Sequence, residues 1–354
     1  MAIHFNEKYL GKLVEGFQKV SETESLFSHD LDMEFSGNKT VHVKSLKTEE
    51  LNDYDRTANP TTGSRYGVPS EVEDFEQTFT ITKDRSKSLT IDRGNEVESG
   101  NLKGAGKVMK AYTEERIKPE IDTYRLNKWA EEAGIHKGMS APTKSTIIRA
   151  IIDLHNDMLD AGVPEEGCTL LIKRQYLPDL KTADEWVNLD SLGGKSLPKG
   201  SVGMIDNMAV KPITSKKFPA NAYFMILYKG SVISPVRFKD FKIHKDAPGI
   251  NGNLIEFRMM YDAFVLGHKA DGVAVACASD AVSAAPTLGG TASAVTMTAS
   301  GATIKYTLDG SDPRYSADAE TYGGSSIEVP AGTLVRAAAK VKGKFVSTVA
   351  EKQY

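Results

Sequence analysis

The chain is poor in the residues that staple or metal-organise a fold. It has two cysteines in 354 residues, Cys168 and Cys277, too few for a disulfide framework or a four-thiolate zinc site. That usage fits a reducing place of synthesis. Its seven histidines, from His4 to His268, never pair at the spacing of metal ligands. Neither sign of charge is in excess. The 44 Lys and Arg against 47 Asp and Glu leave a formal net charge of -3, unlike the basic balance of a dedicated nucleic-acid binder. No run approaches the ~18 apolar residues of a membrane-spanning helix. Met1-Ala2-Ile3-His4-Phe5-Asn6-Glu7 lacks the basic and apolar regions of a secretory signal. With 40% hydrophobic and 26% charged residues, the composition is that of an ordinary soluble protein, not a disordered, collagenous or rod-like one. The length predicts two or three domains.

Catalytic constellations are missing too. Leu192-Gly193-Gly194-Lys195-Ser196 ends like a phosphate-binding loop, but Leu189 stands where the pattern needs its first glycine. It reads as a surface turn. Asp309-Gly310-Ser311-Asp312-Pro313 lacks the alternating oxygen ligands and terminal Glu of a calcium loop. Cys168 lies in an apolar strand with no base beside it, so it reads as an inert buried thiol. Glu165-Glu166 reads as a solvated loop. The sequence predicts no catalytic, cofactor-binding or metal-binding residue, and so no enzyme.

The order of segments says more. Residues 1–38 form a polar arm, with Leu10, Leu13, Val14 and Phe17 on one stripe. Residues 39–97 read as a long charged hairpin with few large apolar side chains. Its strands fall at 39–46, 75–82 and 88–92, and 83–87 is a polar turn. A hairpin so short of core is marginal alone in water. Val41, Phe75, Phe79 and Ile81 would need cover from elsewhere. Lys83, Arg85 and Lys87 at the tip are balanced by Glu71, Glu73, Asp74, Glu76 and Asp84. Mixed charge suits a protein contact better than a phosphate groove.

A helix is expected over 101–133, within a segment 98–144. Asn101 is its N-cap, Gly134 its stop, and Pro119 marks a kink or restart. An α/β stretch follows over 145–232. Its helices are at 146–158 and 175–182, and its strands at 168–172, 201–205, 208–212 and 223–228. Long strands return within 233–279, at 235–243 and 254–266. From 280 to 354, short alternating strands at 295–298, 303–307, 326–329 and 333–338 predict a β-sandwich. An arm, a hairpin and a helix that cannot cover their own apolar faces predict a protein that assembles.

This order resembles the major capsid proteins of tailed bacteriophages, the Hong Kong 97-like fold. These have an N-terminal arm, an extended loop, a spine helix with peripheral strands, an axial domain and a return to the peripheral sheet. Lys118-Pro119-Glu120-Ile121-Asp122-Thr123-Tyr124-Arg125 is similar to a Pro-x-Ile-Asp-x-Tyr-Arg stretch of the spine helix. Asp160-Ala161-Gly162-Val163-Pro164-Glu165-Glu166-Gly167 is similar to the turn before the first axial strand. In the tail, residues 304–313, Tyr322 and residues 333–339 resemble the immunoglobulin-like domain at the C terminus of chitobiases.

The resemblances imply an α+β chain: a capsid fold followed by an all-β immunoglobulin-like sandwich. They imply a non-enzymatic major capsid protein that assembles with itself into hexamers and pentamers of an icosahedral head. The head would enclose double-stranded DNA held by weak non-specific contact, with the tail module facing outward. Leu10, Leu13, Val14, Phe17, Val41, Phe75, Phe79, Ile81, Lys83, Arg85 and Lys87 are the expected subunit-interface residues. Portal, scaffolding and cement proteins are the further implied partners, with no cofactor and no membrane. The implied location is the virion, after synthesis in the bacterial cytoplasm. An encapsulin-like shell and a carbohydrate-binding or adhesion protein are the alternatives.

Overall fold

Alternation of apolar and polar side chains sets the architecture, and the sheets show it directly. The computed structural model describes residues 21–27, 33–36, 39–46, 53–57, 64–66, 74–94, 105–183, 201–245 and 247–354. The arm stripe of Leu10, Leu13, Val14 and Phe17 lies outside these residues, as does the Leu192–Ser196 turn. The chain divides into two units, residues 29–83 and the remainder. In the smaller unit, β1 (Met33–Ser36), β2 (Thr40–Leu46) and β3 (Asp74–Thr80) form an antiparallel sheet in that order. Val41 stands opposite Phe79. Val41, Val43 and Ile81 are buried and Phe79 is half-buried.

The next strand differs from expectation. Residues 83–87 are not a turn; they open β4 (Lys83–Asp92). The sequence Lys-Asp-Arg-Ser-Lys has no Gly, Pro or Asn to build a tight turn. β3 pairs with β2, whereas β4 joins a sheet with strands from 236–245 and 252–261.

The long helix runs as α1 (Ala105–Tyr112), one π turn over Thr113–Ile117, and α2 (Lys118–Glu131). The α-helix restarts after the π turn with Pro119 in its first turn, one of the two expected outcomes. A proline ring clashes with the carbonyl four residues back, and the wider π turn just before Pro119 takes up that interruption. Lys118 N–H reaches the Thr113 carbonyl there. The stop at Gly134 has a steric cause. A Cβ at that position would lie 2.5 Å from the Ala270 carbonyl carbon and the Asp271 nitrogen.

The elements that follow are β5 (Ile135–Met139), α3 (Ile147–Asp160), β6 (Cys168–Lys173), α4 (Leu177–Thr182), β7 (Gly203–Ile205), β8 (Met208–Ile213) and β9 (Ala222–Tyr228). Then come β10 (Val232–Ile233), β11 (Val236–Lys245), β12 (Gly252–Tyr261), β13 (Phe264–Val265) and β14 (Val273–Ala278). The principal sheet has the order β5-β14-β9-β6-β8-β7. It draws β5 and β14 from outside the 145–232 stretch assigned to the α/β region.

Period-two alternation sorts this sheet's side chains between two helices. Leu171, Met225, Leu227, Val273 and Val275 share a core with Leu126 and Trp129 of α2. Leu170, Ile172, Phe224, Ile226 and Ala274 share the other with Ile147, Ile151, Leu154 and Met158 of α3. The second sheet of this unit, β11-β12-β4, lays Phe257, Met259 and Tyr261 against Ile117, Tyr112, Ile121 and Tyr124 of the long helix. The single strand expected at 254–266 breaks at Asp262, whose carboxylate accepts from the Ala263 N–H. Beyond it, β13 pairs with β10.

The tail is a two-sheet module. β15 (Thr287–Thr291) pairs with β16 (Ala294–Thr298). The facing sheet is formed by β17 (Thr303–Thr307), β18 (Glu320–Thr321), β19 (Leu334–Lys340) and β20 (Ala350–Gln353), in the order β18-β17-β19-β20. Val295, Met297, Ile304, Tyr306, Val335 and Ala337 fill the space between. The strand expected at 326–329 reduces to a single bridge, Ile327 to Val295.

Candidate functional site

The charged residues of α2 project in two directions, and one of them is buried. Positions 122, 125, 126 and 129 share one helical face, and 117, 120, 121 and 124 another. On the first face, Asp122 is fully buried. Its Oδ1 accepts from Ser21 Oγ at 2.7 Å and Thr23 Oγ1 at 2.7 Å. Its Oδ2 accepts from the Glu22 N–H at 3.0 Å and Lys217 Nζ at 2.9 Å. Burial alone would raise the carboxyl pKa. The bonds from Lys217, Glu22, Ser21 and Thr23 outweigh it and hold Asp122 below the usual range.

One turn on, Arg125 is 3% exposed. It donates to Ser234 Oγ at 2.7 Å, Thr23 Oγ1 at 3.1 Å and Glu24 Oε2 at 2.8 Å. Its guanidinium also lies 4.6 Å from the Phe27 ring centroid. Glu22 accepts from Thr214 N and Oγ1, and Lys211 Nζ donates to Ser25 Oγ at 2.8 Å. Burial pulls the Lys211 ammonium down, while Glu22 and Asp122 oppose that shift. Leu26 and Phe27 finish the segment in the core beside Trp129. Residues 21–27 thus form a strap that ties α2 to β8 and the 214–218 loop.

The second face meets the β11-β12-β4 sheet. Glu120 Oε1 accepts from Arg85 Nε at 2.7 Å and from the Tyr261 hydroxyl at 3.1 Å. Tyr124 donates to Asp262 at 2.7 Å and meets Tyr261 edge-on. Arg258 forks onto Asp84 at 3.0 and 2.7 Å. A small, open cavity of about 40 Å³ lies here, bordered by Arg85, Lys87, Tyr112, Glu120, Phe257 and Tyr261.

These junctions hold elements together. Burial pushes the Cys168 thiol up to about 11 and the Cys277 thiol up to about 12, so both stay protonated near neutrality. His155 Nδ1 meets Asp206 Oδ2 at 2.5 Å, but its buried Nε2 has no hydrogen-bond partner among the described residues. That pair fastens α3 to the β7–β8 turn. Among the described residues, no group of three or more His, Cys, Asp or Glu could hold a metal ion, and no helix is long and apolar enough to cross a membrane.

The expected interface residues that are described fall in both units. Arg85 is not at a hairpin tip but is ion-paired to Glu120 on the spine helix. Lys87 borders the cavity beside it. Lys83 begins β4, and Phe75 lies in β3. Val41 and Ile81 are buried within this one chain, so they offer little surface to a neighbour. Reasoning from sequence passed over Asp122, Arg125, Lys211 and Lys217 as site residues. The available signal was the Asp-x-x-Arg step inside an otherwise apolar helix face. The partners, Ser21 to Glu24, lie about a hundred residues away.

The frame has close counterparts among solved structures. The capsid structure of cyanophage P-SCSP1u aligns with a TM-score of 0.55 at 14% identity, over 77% of this chain and 93% of that one. The mature capsid of bacteriophage PhiM1 aligns at 0.54 and 14%, over 78% and 93%. The fold is the Hong Kong 97-like capsid fold. The capsid of Ralstonia phage GP4 aligns at 0.53 and 14% identity, over 78% of this chain and 97% of its own. The family model of the chitobiase/beta-hexosaminidase C-terminal domain matches residues 286–351, the two-sheet module that follows the capsid fold. No curated protein sequence matches the chain.

Proposed function

We propose that the chain is a phage major capsid protein that builds an icosahedral head from hexamers and pentamers of itself around double-stranded DNA. The observation that carries this is the alignment of 93–97% of each of these three phage capsid chains onto this one. The role is structural and the location is the virion. Repeated contacts of one kind close into rings and make a finite shell. Many modest interfaces per subunit act together. The net charge of -3 suits a wall that contains DNA without gripping it. Portal, scaffolding and cement proteins are the partners this reading expects, with the tail module on the outer surface.

A carbohydrate-binding role for the module gains no support from its aromatics. Tyr306 is buried, and Tyr315, Tyr322, Phe345 and Tyr354 are all half-buried. None is fully exposed as a stacking platform.

The test is electron microscopy of the purified chain, alone and co-produced with the products of its neighbouring genes. Closed shells, or rings of five and six, are expected in at least one preparation. Only monomers in both would overturn the proposal.

A further inference from the structure

Helix α2 ends at Glu131, and the last carbonyls of a helix have no partner within it. Two carbonyls just beyond that end are met from the C-terminal module. The Tyr315 hydroxyl donates to the Glu132 carbonyl at 2.9 Å, and Arg314 Nη1 donates to the Gly134 carbonyl at 2.5 Å. The Arg314 side chain is 11% exposed, with Nε and Nη2 both on the Asp312 carboxylate. That fork fixes the guanidinium plane and leaves Nη1 aimed at Gly134. Lys340 adds an ion pair to Glu131 at 2.6 Å. Cations at this end also favour the helix dipole.

The contact continues along β5. The His136 ring stacks on Phe345 at 4.8 Å between centroids and 20° between planes. Phe345 N–H donates to the Ala281 carbonyl at 2.7 Å, and Ser283 N–H donates to the Phe345 carbonyl at 3.0 Å. Tyr315 and Phe345 pack against the core shared by α2 and the six-stranded sheet. The connecting residues Ala281 and Ser283 are buried. A free tether would leave them in water.

We infer that the C-terminal module is an integral cap on the spine-helix end and on edge strand β5, with Arg314 and Tyr315 as its latch. It is not an appendage on a swinging linker. The cap holds Gly134 in place, and with it the contact of the Gly134 N–H with the Ala270 carbonyl at 2.9 Å. These contacts lie within one chain, so the inference does not depend on the shell reading.

Hydrogen exchange read by mass spectrometry on the full chain tests it. In R314A/Y315F, amides over 131–139 and 267–272 should exchange about ten- to a hundredfold faster, the effect of losing charged and neutral hydrogen bonds. Amides of β17 and β19 should keep their protection, because the module's own core is untouched. Y315F alone, which removes one hydroxyl, should give a smaller increase in the same peptides. K305A, on an exposed position of β17, should give none. Wild-type exchange over 131–139 in both Y315F and R314A/Y315F would overturn the inference.

Discussion

The two faces of helix α2 carry ion pairs of similar length and opposite setting. On one face, Lys217 meets Asp122 at 2.9 Å with both side chains buried. On the other, Arg85 meets Glu120 at 2.7 Å with side chains 60% and 46% exposed. Distance therefore does not rank them. An exposed pair gains little over its hydration. A buried pair gains little when formed, but leaves an uncompensated charge when one partner is removed. The strap face is thus the brittle side of the helix, and the sheet face is the tolerant side.

The largest expected effect tests the brittle side. Asp122→Ala strips Lys217 of its buried partner, leaving it the half-buried Glu22 carboxylate at 3.6 Å, and frees three donors of the strap, Ser21, Glu22 and Thr23. It should cost about 3–5 kcal/mol, read as a lowered urea midpoint by fluorescence of buried Trp129. Asp122 should also set an acid limb. Its pKa is lowered from 3.8, so its contribution is present above that value and is lost as pH falls through the lower folded value. An Asp122→Ala variant as stable as wild type at neutral pH would remove the distinction between the two faces.

A second buried group sharpens the comparison because no ion pair holds it among the described residues. His136 Nε2 meets the Ala130 carbonyl at 2.8 Å, and burial, with Arg314 and Lys340 nearby, drives its pKa down to about 4. It folds neutral, while the unfolded chain takes up its proton near the ordinary histidine value of 6.5. Stability should be fully present above that pH and fall as pH drops from 6.5 towards 4. The total loss is about 3 kcal/mol. His136→Gln should flatten this part of the profile while leaving the Asp122 limb in place. Persistence of the slope in that variant would assign it to another group.

The contrast also explains how much was legible in the sequence. The helix at 147–160 and the strands at 168–173 and 222–228 announce themselves because each buries a regular set of side chains. Strand β5, with His136, Lys137 and Gly138, carries no such pattern. It is a strand because β14 pairs beside it. The reading of 83–87 as a turn failed because polar alternation looks the same in a loop and in a solvated strand. The capsid resemblance rested mainly on the order of elements, and one of its motifs, the Pro-x-Ile-Asp-x-Tyr-Arg stretch, holds the site. Its chemistry stayed hidden because Asp122 and Arg125 complete their bonding with residues at 21–24 and 217, and no local rule pairs them.

The smallest effect is the most direct check on the tolerant side. Arg85→Ala removes an ion pair that water already screens, so its cost at low salt should stay below about 1 kcal/mol. The Tyr261 hydroxyl would still donate to Glu120, leaving that carboxylate a partner. Raising salt to about 1 M, where the Debye length shrinks to about 3 Å, should erase most of the difference between wild type and Arg85→Ala. The Asp122→Ala deficit should survive the same salt, since ions cannot reach a buried carboxylate. A salt-insensitive Arg85 deficit as large as that of Asp122 would mean that the cavity edge beside Tyr112 and Phe257 excludes water more fully than its exposure implies. Helix α2 would then be brittle on both faces.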